Sequence, residues 1–290
     1  EMLNKLAVRG WGWAYLLLSL PRAFSWRSVL RQPTKASLDQ NVSTRFGNMH
    51  YRKLGNMASR NHALFIHGLG SDSSTCLPSQ RLLDEVNWII PDLAGHGMSC
   101  KPLDFEPYTM KSQADSIHQI LSEQGVKNVF IIGHSLGGPI AIELCEKIIR
   151  ENRDITLNGL IYEEGNINED DCFGSKKILE KGCPKVSPHS DEKEAMDFAM
   201  YASSKDLVEI SCSGELLPRI KALKDGGLPM MVMYGEKNFG RFSSATLLEQ
   251  SGFKIVWVAK GGHSMHKDEG SGAFWAKVED FILSNISRNQ

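Results

Sequence analysis

The run Val129-Phe130-Ile131-Ile132-Gly133-His134-Ser135-Leu136-Gly137-Gly138-Pro139-Ile140-Ala141 decides how the rest of the chain is read. Strand-forming apolar residues lead into closely spaced glycines and then into a helical pattern. An unbroken apolar run of this kind predicts a strand buried on both faces. Gly133-x-Ser135-x-Gly137 then sets a serine on the strand-to-helix turn. A side chain held on such a sharp turn needs small neighbours where strand and helix approach each other, and the glycines supply them. Ser135 is therefore the first candidate nucleophile.

Outward from this stretch, strands alternate with helices. Upstream, a hairpin through Gly47-Asn48 precedes a buried strand at 63–66, which ends in His67-Gly68-Leu69-Gly70. A helix is predicted from Leu77 or Pro78 to Glu85, a strand at 86–90, and a helix at 110–124 that Gly125 stops. Downstream, helix 139–150 and strand 157–162 follow, then strand 228–235, helix 243–250, strand 254–258 and a closing helix at 272–286. After an antiparallel start this order implies an α/β fold with a largely parallel sheet covered on both faces. Residues 163–227 interrupt it with charged, Pro- and Gly-punctuated sequence, helical in patches at 176–181, 195–201 and 215–223. The predicted layout is an N-terminal extension at 1–40, a core at 41–164 and 228–290, and a helical cap at 165–227.

With 290 residues, 41% hydrophobic and 23% charged, the chain has ample material for a core, and its net charge of -1 argues against a nucleic-acid partner. The six cysteines show no C-x-x-C pairing, which points to neither a zinc site nor a disulfide framework and favours a reducing, cytoplasmic compartment. Cys145 reads as a small core residue. Residues 1–40 stand apart. Lys5, Arg9, Arg22, Arg27, Arg31 and Lys35 against Glu1 and Asp39 give this segment +4 and leave -5 for the remainder. Its uncharged stretch from Gly10 to Pro21 is shorter than the roughly 20 apolar residues a bilayer span needs. It fits the core of an export signal or anchor, a basic Trp-bearing helix on a membrane surface through residues 6–30, or a packed N-terminal helix. Nothing in the sequence fixes the oligomeric state.

From about Val42 to Ile286 the chain resembles the α/β-hydrolase family. The motifs that carry the likeness are His67-Gly68-Leu69-Gly70, Asp92-Leu93-Ala94-Gly95-His96-Gly97-Met98-Ser99, Gly133-His134-Ser135-Leu136-Gly137-Gly138 and Gly261-Gly262-His263-Ser264-Met265, in that order. The resemblance implies an eight-stranded-type, mostly parallel sheet with a helical cap. It implies Ser135 as nucleophile and His263, in the loop after the last strand, as its base. A serine hydroxyl needs such a base at neutral pH, and imidazole, with a usual pKa of about 6.5, suits the task. His67, His96 and His134 fall at loop or structural positions, and His266 is expected to be solvated or at the entrance. The backbone N–H groups of Leu69 and Leu136 are the implied oxyanion donors, contributing about 3 to 4 kcal/mol each, with Gly68 and Gly70 letting their loop approach the substrate.

The triad acid is less direct. Many members place an aspartate three residues after the glycine that ends the strand at 228–235, and here Asn238 occupies that position. An amide cannot stabilise an imidazolium as a carboxylate does. Members resembling haloalkane dehalogenases take the acid from the end of the preceding strand, which offers Glu163-Glu164. Strand alternation sends these two side chains to opposite sides. The resemblance favours Glu164. Glu163 is the alternative, and a further reading leaves neither, with Asn238 marking a weakened site.

These residues predict a metal-free, cofactor-free serine hydrolase cleaving small-molecule carboxylic esters or thioesters through an acyl-serine. Because the elbow carries Ser135 and not a carboxylate, dehalogenase and epoxide hydrolase activity is not expected. Carbon–carbon bond hydrolysis, a haloperoxidase-like reaction, and a hydrolase-fold binding protein with a decayed site are the competing expectations. Phe173, Met196, Phe198, Met200, Tyr201, Leu207, Ile210, Leu216 and Leu217 are apolar cap residues able to line an acyl pocket or to pack the cap; Phe173 and Met200 lead that set for substrate binding.

Overall fold

The computed structural model describes residues 38–151 and 154–288. The strands are β1 (Leu38–Thr44), β2 (Gly47–Gly55), β3 (Asn61–Ile66), β4 (Asn87–Pro91), β5 (Asn128–His134), β6 (Thr156–Glu163), β7 (Met230–Gly235) and β8 (Ile255–Val258). The helices are α1 (Gln80–Glu85), α2 (Met110–Glu123), α3 (Gly137–Glu151), α4 (Phe173–Leu179), α5 (Glu192–Cys212), α6 (Leu216–Asp225), α7 (Ser243–Gln250) and α8 (Ser271–Arg288). The strands form one 8-stranded sheet in the order β1-β2-β4-β3-β5-β6-β7-β8. β1 pairs antiparallel with β2, and β2 with β4; every later pairing is parallel.

β5 lies inside this sheet, between β3 and β6, and its residues serve two cores in turn. Val129 and Ile131 join the layer containing Ile140, Leu144 and Ile148 of α3, whereas Phe130 and Ile132 join the layer containing Phe274, Val278 and Ile282 of α8. This double burial explains an apolar run without polar alternation.

Local signals account for several element ends. The side chain of Ser79 accepts from Leu82 N to start α1, and that of Thr109 accepts from Ser112 N to start α2. α1 thus begins at Gln80, later than Leu77 or Pro78. β1 starts at Leu38, so the core reaches into the expected extension. The rest of that extension, including residues 6–30, lies outside the described residues. Among the described residues, no helix is long and apolar enough to cross a membrane.

Candidate active site

The turn from β5 into α3 holds Ser135 at φ 53, a left-handed backbone that a serine adopts only when its surroundings impose it. A Cβ on Gly137 would lie 2.2 Å from the Ile66 carbonyl oxygen, so only glycine lets α3 start so close to β3. The Ser135 N–H donates to the Glu163 carbonyl at 3.1 Å, tying the turn to the end of β6.

The structure brings Ser135, His263 and Glu164 together from three segments. His263 Nε2 lies 3.0 Å from Ser135 Oγ, and His263 Nδ1 donates to Glu164 Oε2 at 2.8 Å. Glu164 follows β6 at φ 39 and is 4% exposed. Its other oxygen accepts from Gly235 N at 2.7 Å, and Asn238 Nδ2 donates to both oxygens at 2.9 Å. Asn238 therefore hydrogen-bonds the Glu164 carboxylate directly. Glu163, one residue earlier, points the other way and is fully buried against His266 at 2.9 Å.

The loop after β3 closes the other side. A Cβ on Gly68 would come within 3.1 Å of Ser135 Cβ, so the loop carrying Leu69 packs directly on Ser135. His67 fastens it: Nδ1 donates to Gly68 O at 2.8 Å, and Nε2 accepts from Leu93 N at 3.0 Å. Burial holds the His67 pKa below its usual 6.5. The Asp92 motif has a structural task. Its carboxylate accepts from Ser73 N at 2.6 Å, Met98 N at 2.8 Å and His50 Nδ1 at 2.8 Å. Burial alone would raise the Asp92 pKa, and the hydrogen bonds from Met98, Ser73 and His50 outweigh it, so the net shift is downward.

The alpha/beta hydrolase family model matches residues 63–276. The chain belongs to the alpha/beta hydrolase family. Lipase 1 of Psychrobacter immobilis is 32% identical over 110 residues, covering 38% of this chain and 34% of the lipase. The match thus spans about a third of that relative's length. A 2-succinyl-6-hydroxy-2,4-cyclohexadiene-1-carboxylate synthase of Yersinia enterocolitica is 25% identical over 252 residues, covering 76% of this chain and 85% of the synthase. An esterase from Exiguobacterium antarcticum superposes with a TM-score of 0.63 at 17% identity, covering 85% of this chain and 100% of the esterase.

In this family member the segment between β6 and β7 is helical, but its helices differ from the predicted patches. α5 runs from Glu192 to Cys212, well beyond 195–201, and opens with an Asp191–Glu194 capping box. Met200 of α5 reaches the loop beside Ser135: a Cβ on Gly70 would lie 3.3 Å from Met200 Cε. The same Met200, with Tyr201, Ile178 and Pro184, lines a cap cavity of about 510 Å³. The Phe173 ring lies 6.3 Å from that of Phe242, which lies 6.2 Å from the His263 ring. Phe173 is 56% exposed. Phe198, Leu207 and Leu216 are instead buried, so they pack the cap.

His266 is a correction. It is 1% exposed, enclosed by the rings of Phe65 at 5.0 Å and His134 at 4.7 Å, and is neither solvated nor at an entrance. The sequence reading also passed over Phe242. Its position seven residues after the glycine that ends β7 was the available clue, but no spacing rule pairs it with His263.

Proposed function

We propose that this chain is a serine hydrolase that cleaves carboxylic esters or thioesters through an acyl-Ser135 intermediate. The observation that carries the reading is the continuous Ser135–His263–Glu164 relay, with spacings of 3.0 and 2.8 Å. His263 Nε2 takes the Ser135 proton as Oγ adds to the substrate carbonyl carbon. Because Nδ1–H is held by Glu164, the ring presents its Nε2 lone pair to the serine, and the carboxylate stabilises the imidazolium that forms. The Leu69 and Leu136 N–H groups are the donors for the resulting oxyanion. His263 then returns the proton to the leaving alcohol or thiol, and water repeats the sequence to release the carboxylic acid. Every proton and electron pair is handled by these residues and water, so the cycle requires neither metal nor cofactor.

The substrate path runs between Met200, above the Gly70 loop, and the Phe173–Phe242 pair beside His263. Both walls are apolar, which supports an apolar acyl or alcohol group. The names of the similar proteins, a lipase and an esterase, agree with this class. A second reading, a reaction other than ester or thioester hydrolysis with the same serine and histidine, has in its favour that the similar Yersinia protein is named a synthase.

The test is labelling with a fluorophosphonate and turnover of p-nitrophenyl esters of increasing acyl length. Wild type is expected to be labelled at Ser135 and to turn over esters, and Ser135→Ala to lose both, with kcat lower by at least about 10⁴-fold. A protein that is never labelled ends the serine hydrolase reading. Labelling without turnover of any ester or thioester favours the second reading.

A further inference from the structure

Behind the relay lies a second glutamate–histidine pair that the proposed cycle does not use. Glu163 accepts from the His266 backbone N–H at 3.1 Å and from His266 Nδ1 at 2.9 and 3.1 Å. Both side chains are 0% exposed. Glu163 precedes Glu164 on the opposite face of the strand end, and His266 follows His263 by three residues. One dipeptide thus holds one loop at two points.

These two points have different consequences. The His263 side chain is 42% exposed, and its ring nitrogens are held by Glu164 and Ser135. Its backbone is held from behind, where His134 Nε2 donates to the His263 carbonyl at 2.8 Å. His266, the other end of the segment, is anchored to Glu163, and its carbonyl accepts from Trp275 Nε1 at 3.0 Å. Glu163 also accepts the Ser135 N–H through its own carbonyl at 3.1 Å. A single buried residue therefore grips the nucleophile with its main chain and the base's loop with its side chain. In a dry environment such bonds are stronger and stiffer than at the surface.

The pair belongs to a buried cluster with His134. His134, Glu163 and His266 each bring a ligand-type atom within 4.8 Å of the others. Both Glu163 oxygens already accept from His266, so the carboxylate is committed to the pair, while His134 Nδ1 and His266 Nε2 have no hydrogen-bond partner among the described residues.

We propose that Glu163 and His266 form a buried positioning pair that sets the spacing between His263 and Ser135. This rests on the reading of Ser135 as nucleophile and His263 as base. Neither member touches substrate. Their effect is to keep the base within hydrogen-bond reach of the serine, where a displacement of about 1 Å can cost about 10²-fold in rate.

The test compares wild type with Glu163→Ala and Glu163→Gln, reading kcat, KM, thermal unfolding and the low-field proton resonance of His263 Nδ1–H. Glu163→Ala is expected to lower kcat about 10²-fold, with KM changed less than about threefold, and to weaken the low-field resonance in protein that remains folded. Glu163→Gln, whose oxygen still accepts both His266 donors, is expected to recover at least about tenfold of the lost kcat. If Glu163→Ala fails to fold, His266→Phe and His266→Asn replace the pair, since the asparagine amide keeps a donor where Nδ1–H stood. Folded Glu163→Ala or His266→Phe protein with wild-type kcat and an unchanged resonance overturns the proposal. So does a kcat loss that only tracks the unfolded fraction. The resonance needs no turnover, so it reports on the pair even if fluorophosphonate labelling disproves the hydrolase reading.

Discussion

Glu164 accepts hydrogen bonds from Gly235 N–H, the Asn238 amide and the His263 ring while only 4% exposed. A buried carboxylate needs such donors, since an unpaired one is strongly disfavoured. Asn238 supplies two of these contacts, and its own oxygen accepts from Arg241 Nη1 at 3.4 Å, which orients the amide. Asn238→Asp therefore removes the donors and sets a second carboxylate against the first. A hydrogen bond to a charged acceptor is worth about 1.5 to 3 kcal/mol. We expect kcat/KM for ester hydrolysis to fall about 10- to 10²-fold in Asn238→Asp, further than in Asn238→Ala, which lacks the added repulsion. Higher activity in Asn238→Asp would show that the position after β7 can still carry the acid, and Glu164 would lose its assigned role.

At the scale of elements, helix α5 meets the loop after β3 at Met200, and the Phe242 ring, beside that of Phe173, lies 6.2 Å from the His263 ring. If this is the acyl path, side-chain volume at position 200 governs chain length, with about 1 to 3 kcal/mol at stake per methylene accommodated or refused. Met200→Ala is expected to move the p-nitrophenyl ester optimum to longer acyl chains, and Met200→Trp to shorter ones, each by a several-fold change in kcat/KM ratios. An unchanged acyl-length profile in both variants would place Met200 outside the path. The elbow was legible in the sequence because its determinants, Gly133, Ser135 and Gly137, are local. The full extent of α5 was not, because Ser203, Ser204 and Ser211 interrupt any apolar stripe. The Asp191–Glu194 capping box was a readable start signal that went unused. Glu164 could be approached through strand alternation and family likeness. Its bond to Asn238, across 74 residues, and the His134–His263 bond, across 129, are products of folding that no local pattern encodes.

For the molecule as a whole, the concentration of buried imidazoles around the site makes stability depend on pH with a definite sign. Desolvation lowers the pKa of His67, His96 and His134, all fully buried; His96 falls from 6.5 to about 3, with the charge of His67 adding to the effect. In the unfolded chain these groups titrate near 6.5. Below that value the unfolded state takes up protons that the native state refuses, so their contribution is complete above pH 6.5 and declines as pH falls toward the folded values. From pH 7.5 to 5.5 His96, with its folded value near 3, costs about 1.4 kcal/mol, and His67 and His134 act in the same direction. Asp171 and Asp206, raised above 3.8 chiefly by burial, act in the opposite sense, because the native state retains their protons more readily. Urea unfolding is therefore expected to give a lower stability at pH 5.5 than at 7.5. His96→Gln, which removes one titrating group whose Nδ1 now donates to Ala94 O at 3.1 Å, should reduce that difference by about 1.4 kcal/mol. Equal stability at the two pH values in wild type would mean that the buried histidines do not govern acid sensitivity. An undiminished difference in His96→Gln would remove His96 from that set.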